Sequence, residues 1–443
     1  MPLLRCLSVL VAVLAMIAPA AFAADSPAAP DTARIDTGDT AWVLGATGLV
    51  MLMTPGLAFF YGGLVRKKNI LSVLMQCMMV LCLITLQWII FGYSLAFGPD
   101  VKGLIGNLDW AFLRGVGAAP EAAYAPTIPH TAFMIFQAMF AVITPGLILG
   151  AFAERMRFSA FCLFSLLWAT VVYDPVCHWV WGNGGWLKEL GVLDFAGGIV
   201  VHITAGISAL AAALYLGRRH GFPHAISPPH NLPLAVLGAG LLWFGWFGFN
   251  AGSALGAGSL ASGALVATHA AGAAAGMAWA LLDWFFIKRP TMLGVITGAV
   301  AGLAAVTPAS GFVEPMGAIG IGIGAAAICW IFVTILKGKF GYDDSLDAFG
   351  VHGIGGIWGV IATGLWATTL INPAGDNGLF HGGTHLILVQ FLAVAVTAVF
   401  AFMGTLLLLM VVNAITRLRV SEQDERIGLD LTQHREAGYT LVD

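Results

Sequence analysis

Two histidines stand where ionisable side chains are expensive. His202, in Asp194-Phe-Ala-Gly-Gly-Ile-Val-Val-His202, and His352, in Asp347-Ala-Phe-Gly-Val-His352-Gly, are each the lone ionisable group within a long apolar run. At membrane depth such a group is costly unless it faces a cavity or a partner. An imidazole can pass a proton, hold a metal or haem, or serve as a hydrogen-bonded packing residue. Nothing else in the chain suggests a cofactor cavity, which counts against haem; the other readings stay open on these residues alone. Counting depth along the two runs does not bring the histidines to one level, so spacing does not pair them.

A second cluster is aromatic. Phe136 and Phe140 lie four apart, on one face of a helix. Trp181 ends a later apolar run, and Trp246 and Phe249 lead into Asn250-Ala-Gly-Ser253. Aromatics at span ends commonly form an interfacial belt; the alternative is a cup of ring faces for a small cation. Asp194 and Asp347 each stand at the start of a run, where a carboxylate can cap backbone N–H groups. Asp194, near the outer entrance, could also favour a cation through its charge. Pro55-Gly56 and Thr307-Pro308 interrupt helical runs and could bend them toward a pathway.

These side chains must be held by a bilayer-spanning scaffold. Of 443 residues 59% are hydrophobic and only 10% charged, against about 25% charged in a soluble domain. The mean hydropathy is +0.89. A soluble protein of this size would lack a polar skin. Apolar runs follow at roughly 41–61, 70–97, 131–151, 158–180, 197–216, 232–250, 261–284, 291–309, 314–336, 349–370 and 385–416. Each is long enough for a helix across a hydrocarbon core, and continuous apolarity excludes alternating barrel strands. The expected fold is an all-α polytopic membrane protein of eleven transmembrane helices: an inverted five-plus-five pseudo-repeat plus a final helix, N-terminus outside and C-terminus inside. The two halves would each carry one of the histidines in the fifth span, an arrangement common in transporters.

Charge tests that orientation. Inside would fall Arg66, Lys67, Lys68, Arg155, Arg157, Arg218, Arg219, Lys288, Arg289, Lys337, Lys339, Arg417, Arg419, Arg426 and Arg435; outside, Arg34, Lys102, Arg114 and Lys188. That is 15 against 4, in the sense the positive-inside rule requires. The net charge of −3 implies no nucleic-acid partner. Residues 1–23 have the form of a signal peptide: Arg5, an apolar centre, and Ala21-Phe22-Ala23 before the cut. Residues 24–40 are then a periplasmic segment, 41–417 the membrane domain, and 418–443 a cytoplasmic tail able to dock on the inner loops. With Cys6 in the segment expected to be removed, the remaining Cys77, Cys82, Cys162, Cys177 and Cys329 are odd in number and include no CxxC pair, so they read as small buried apolar residues rather than a disulfide frame or metal site. No metal motif or nucleophile–base arrangement points to an enzyme, and no cofactor is expected.

Five stretches together resemble the ammonium transporter (Amt/Rh) family: Pro55-Gly56 with Phe60-Tyr61-Gly62-Gly63-Leu64; Asp194-Phe-Ala-Gly-Gly with Val201-His202; Gly245-Trp246-Phe247-Gly248-Phe249-Asn250-Ala251-Gly252-Ser253; Val306-Thr307-Pro308-Ala309; and Phe349-Gly350-Val351-His352-Gly353. They occur in the family's order over nearly the whole mature chain. The resemblance implies that Phe140, Trp181 and Ser253 form an outer site holding ammonium, with Asp194 nearby. It implies that Phe140 and Phe249 are stacked rings closing the pore, and that His202 and His352 are a twin-histidine pair along it. Phe60, Tyr61, Phe136, Trp246 and Thr307 would line or support the pore. It further implies a homotrimer with one pore per subunit, a role in nitrogen utilization at the bacterial inner membrane, and a PII-type signalling protein at the cytoplasmic face. Glu425-Arg426-Ile427-Gly428-Leu429-Asp430 resembles the family's regulatory tail, although Ile427 stands where the family usually has Glu. Trp181 and Ser253, generally absent from Rh-type relatives, favour the Amt branch; His202 is intact where some fungal relatives carry an acid.

The expected activity is recruitment of ammonium (with methylammonium as a candidate second substrate), its deprotonation, and passage of ammonia through an apolar pore, the proton following by relay. A passive ammonia or carbon dioxide channel and an ammonium sensor with little transport are the competing readings.

Overall fold

The computed structural model describes residues 34–223 and 228–439; the signal segment 1–23 lies outside the described residues. The described chain is helical apart from its connections and one short outer hairpin of β1 (Asp100–Val101) and β2 (Ile105–Gly106). The helical segments are α1 (Thr37–Leu64), α2 (Lys67–Phe97), α3 (His130–Phe152), α4 (Phe158–Glu189), α5 (Gly198–Leu216), α6 (Leu232–Ala251), α7 (Ser259–Ile287), α8 (Met292–Val306), α9 (Pro315–Phe340), α10 (Phe349–Trp366), α11 (His385–Ile415) and, in the tail, α12 (Glu422–Ile427). Ten of them are long and apolar enough to cross a membrane among the described residues. Besides the tail helix α12, the exception is α8, a 15-residue helix at the expected 291–309 run. At 1.5 Å per residue it rises about 22 Å, short of a 30 Å core.

Burial sorts these helices. Nearly all of α3 is enclosed, whereas α7, α9 and α11 turn large apolar side chains outward, among them Phe285, Met316 and Leu388. A helix apolar all round is enclosed by protein or wetted by lipid. α1 packs along α6, α3 along α5, and α7 along both α8 and α9. Close approach is bought with glycine: a Cβ on Gly238 of α6 would sit 2.1 Å from the Phe60 nitrogen of α1.

The interruptions differ from the expected bends. Pro55 lies within an unbroken α1, and α8 stops at Val306, so Thr307-Pro308 ends a helix and does not kink one. The bends that matter are π-helical turns, one extra residue each, at Trp88–Gly92, Ala169–Tyr173, Gly198–Ile203, Phe247–Ala251, Ile331–Leu336 and Phe349–Gly353. His202 and His352 each sit in one.

Asp194 does cap a helix. Its Oδ1 accepts from Gly197 and Gly198 (2.8 and 2.6 Å) and its Oδ2 from Ile199 and Val200 (2.7 and 3.1 Å). The matching cap of α10 is Asp344, accepting from Ala348 and Phe349 at 3.1 and 2.8 Å, not the Asp347 expected from sequence. Asp347 takes a left-handed φ of 61° and pairs with Lys337 at 2.7 Å. A carboxylate directly before the helix was the obvious choice; the chain turns back first and brings in the one three residues earlier.

At the inner face a buried ionic network fastens the connections. The Glu154 carboxylate accepts from Arg66 (2.8 Å from the backbone N–H and 3.0 Å from Nε), Asn69 (2.8 Å) and Arg219 (3.2 Å). Arg219 also grips Asp343 at 2.8 Å. Burial alone would raise both carboxylates, but hydrogen bonds and charge from Arg66 and Arg219 on Glu154, and from Arg219 on Asp343, hold both below their ordinary values. The tail docks here. Leu429 donates to Asn69 (2.8 Å), Ser72 to Asp430 (2.8 Å), and His220 and Arg419 to Glu425 (2.5 and 2.9 Å).

Of the described cysteines Cys77, Cys177 and Cys329 are buried, Cys162 is partly so and Cys82 faces outward; all five are free thiols. The exposure of Cys82 departs from the buried role expected of it.

Candidate functional site

α5 and α10 present their π turns to each other, each turn packing on the other helix. The contact is backbone to backbone: a Cβ on Gly206 would lie 2.0 Å from the Gly353 nitrogen, and one on Gly356 2.9 Å from the His202 Cβ. The two imidazoles are thereby set side by side, centres 5.3 Å apart and planes within 12°. They are 1% and 4% exposed. Neither ring nitrogen of His202 has a hydrogen-bond partner in the protein, nor does Nδ1 of His352. Unpaired polar atoms in a buried setting are uncommon and ask for a mobile partner. Depth counting missed the alignment because both helices begin inside the protein, behind the buried caps Asp194 and Asp344, so each histidine lies deep although it stands near the start of its run.

Three cavities lie along this line. The outer one, about 240 Å³, is lined by Trp181, Ser253, Asp194, Gln137, Tyr124 and Lys188 among others. The middle one, about 10 Å³, is lined by His202, His352, Trp246, Phe249, Phe60 and otherwise aliphatic side chains. That is room for about one water-sized molecule. The inner one, about 140 Å³, is lined by Tyr61, Ser345, Asp347 and, shared with the middle cavity, His352 and Phe60.

Between the outer and middle cavities stand two rings, Phe140 and Phe249, with centres 4.3 Å apart and planes inclined at 38°. Trp181 meets Phe140 edge-on at 5.8 Å. The Trp181 indole is fixed by its N–H on the Asp194 carbonyl (2.8 Å), and the Ser253 hydroxyl donates to the Phe249 carbonyl (2.9 Å), leaving its lone pairs available. Asp194 reaches the outer cavity, but four backbone N–H groups already occupy its carboxylate.

The remaining sequence-derived residues fall into supporting places. Trp246 lies against His202 (5.5 Å, 23°) and is held by Thr307, whose Oγ1 accepts the indole N–H at 2.9 Å. Tyr61 donates to the Leu147 carbonyl at 3.2 Å. Phe136 is fully buried behind Phe140, 5.0 Å away, and lines none of the three cavities. Sequence reasoning missed Asp344, Tyr124 and Lys188. The Asp344-x-x-Asp347 doublet offered a faint signal for the first; the other two come from the outer connections, which carry no periodicity. Among the described residues no cluster of three or more His, Cys, Asp or Glu is arranged to hold a metal.

The model of the Ammonium Transporter Family matches residues 41–439. This chain belongs to that family. It is 53% identical over 402 residues to the ammonium transporter of Bacillus subtilis, covering 91% of this chain and 98% of that one. It is 48% identical over 405 residues to Amt1 of Archaeoglobus fulgidus, covering 91% and 99%. Among solved structures it resembles Mep2 of Candida albicans, with a TM-score of 0.85, 35% identity, and 92% and 94% of the two chains covered. The protein is a multi-pass membrane transporter of ammonium.

Proposed function

We propose that ammonium is recruited in the outer cavity against Trp181, Phe140 and Ser253, loses its proton there, and crosses as ammonia past Phe140 and Phe249 and along His202 and His352. The observation that carries this reading is the buried imidazole pair with unpaired nitrogens in a space for one small molecule. Carrying an unpaired cation through so apolar a passage would cost up to tens of kcal/mol. Ammonium escapes that cost, as potassium cannot, by leaving a proton behind. The outer rings give it a cation-π seat while it is still charged. Ammonia then hydrogen-bonds to imidazole nitrogens that the protein itself leaves unsatisfied, and the same nitrogens offer the proton a relay. Asp194 acts on this seat through its charge and by holding Trp181 and the start of α5.

Current recorded on proteoliposomes after an ammonium pulse tests the relay. A current in the wild-type protein that vanishes in His202→Ala/His352→Ala supports it; ammonia flux with no current makes the protein a passive gas channel. Flux in a form lacking residues 418–443 separates transport from sensing, since a sensor would show little in either form.

The assembly and setting proposed with this mechanism are a homotrimer in a bacterial inner membrane, with residues 1–23 removed as a signal peptide. The inner face, where the tail lies across Asn69, Ser72 and His220, is the proposed seat of regulation, with a PII-type protein as the partner and nitrogen utilization as the physiological role. Light scattering of the solubilised protein and co-purification with a PII-type protein test these two assignments. The chemistry asked of the site is transfer of a proton, without turnover of a substrate by an enzyme.

A further inference from the structure

The outer cavity that would recruit a cation already contains one. Lys188 lines it together with Trp181, Tyr124, Phe133 and Ser253. Its ammonium group donates to the Trp181 carbonyl at 3.2 Å and to the Asn183 Oδ1 at 3.0 Å. It also stands 5.6 Å from the centre of the Tyr124 ring. That ring is rigidly held. Its hydroxyl donates to the Phe97 carbonyl (2.8 Å) and accepts from the Asn183 N–H (2.9 Å), and it stacks on Phe133 at 5.2 Å and 15°. A lysine tip ordinarily swings out to water; this one is tied to the backbone of the recruiting tryptophan.

We infer that Lys188 is a specificity-determining residue of the outer site: a tethered primary ammonium that fills one aromatic seat and repels free cations from the other. The inference rests on the reading that this cavity recruits ammonium. Its chemistry is direct. An alkylammonium bound by a carbonyl, an amide oxygen and a ring face shows what the cavity is built to hold. Its charge lowers the occupancy of the neighbouring seat and speeds release toward the pore. A divalent cation meets twice the repulsion of a monovalent one, so the same charge keeps magnesium and calcium from lodging in the mouth.

The test is the concentration dependence of ammonium flux in proteoliposomes for the wild type, Lys188→Met, Lys188→Gln and Lys102→Gln. Lys102 is an exposed lysine of the outer hairpin and controls for general surface charge. Both Lys188 variants are expected to lower KM roughly two- to tenfold at low salt, the reach of one like charge across a wet cavity. Magnesium should become a stronger competitor in both. The differences should fade near 1 M salt, where screening acts over about 3 Å. Lys102→Gln should leave KM unchanged. A KM that is unchanged or raised in both Lys188 variants, or lowered equally at low and high salt, overturns the inference while leaving the recruitment reading in place. A KM in Trp181→Ala equal to that of the wild type would instead remove the recruitment reading, and this inference with it.

Discussion

The pore lining and the inner face treat buried polar groups in opposite ways. Around Glu154 every charge meets a partner: Arg66, Asn69 and Arg219 converge on one carboxylate, and Arg219 passes the contact on to Asp343. Around His202 and His352, equally buried, three ring nitrogens meet nothing. Pairing within the protein makes a fastener; unpaired nitrogens that line a cavity leave room for a solute. With the proposed mechanism, the contrast sets a structural region against a conducting one, and it exposes both to experiment.

The largest effect should come from the fastener. Glu154→Ala leaves two arginines facing each other, and is expected to destabilise the purified protein by about 3 kcal/mol. That is the low end for a broken buried pair, because both arginines keep some contact with water. Thermal unfolding in detergent measures it; a loss comparable to that of a surface residue would erase the distinction between the regions. In the pore the double variant His202→Ala/His352→Ala should unfold at nearly the wild-type temperature while ammonium flux drops roughly tenfold to a hundredfold, the worth of two hydrogen bonds to the passing solute. Stability lost in place of flux would make the histidines packing residues. Trp181→Ala removes a cation-π seat of about 0.5–2 kcal/mol, so KM should rise roughly two- to thirtyfold with little change in maximal flux; an unaltered KM would place recruitment elsewhere. The smallest effect is one of pH. Because Glu154 and Asp343 are held below their ordinary 4.5 and 3.8, their contribution is complete above those values and is lost as pH falls beneath them. The unfolding temperature should therefore decline below about pH 4, and should do so less steeply in Glu154→Ala.

Much of this was readable from the chain. Apolar runs and the 15-to-4 division of Lys and Arg gave the spans and their orientation, since lipid imposes length and charge rules that tertiary contacts do not override. The histidines were conspicuous because an ionisable group in an apolar run has few reasons to be there. Their pairing was not legible, because both helices start within the protein behind buried caps, and an apolar run does not show how deep in the molecule it begins. The 291–309 run is longer than α8 because Thr307-Pro308-Ala309 continue the apolar pattern past the helix end at Val306. Asp347 was favoured over Asp344 because proximity to the helix is visible in sequence and a backward turn is not. Lys188 went unremarked as one of four outer cations, because nothing in Trp-Leu-Lys-Glu says that its amine folds back onto Trp181.

The mutual embrace of α5 and α10 has a mechanical consequence. With Gly206 against the backbone of Gly353 and Gly356 against His202 Cβ, the two main chains that carry the imidazoles are in direct contact, and their spacing is set by backbone rather than by side chains. On the proposed reading the pair behaves as a rail whose two supports cannot drift apart. Any part that opens and shuts must lie beyond its ends, at the two phenylalanine rings above or at the inner mouth below, where side chains alone need to move.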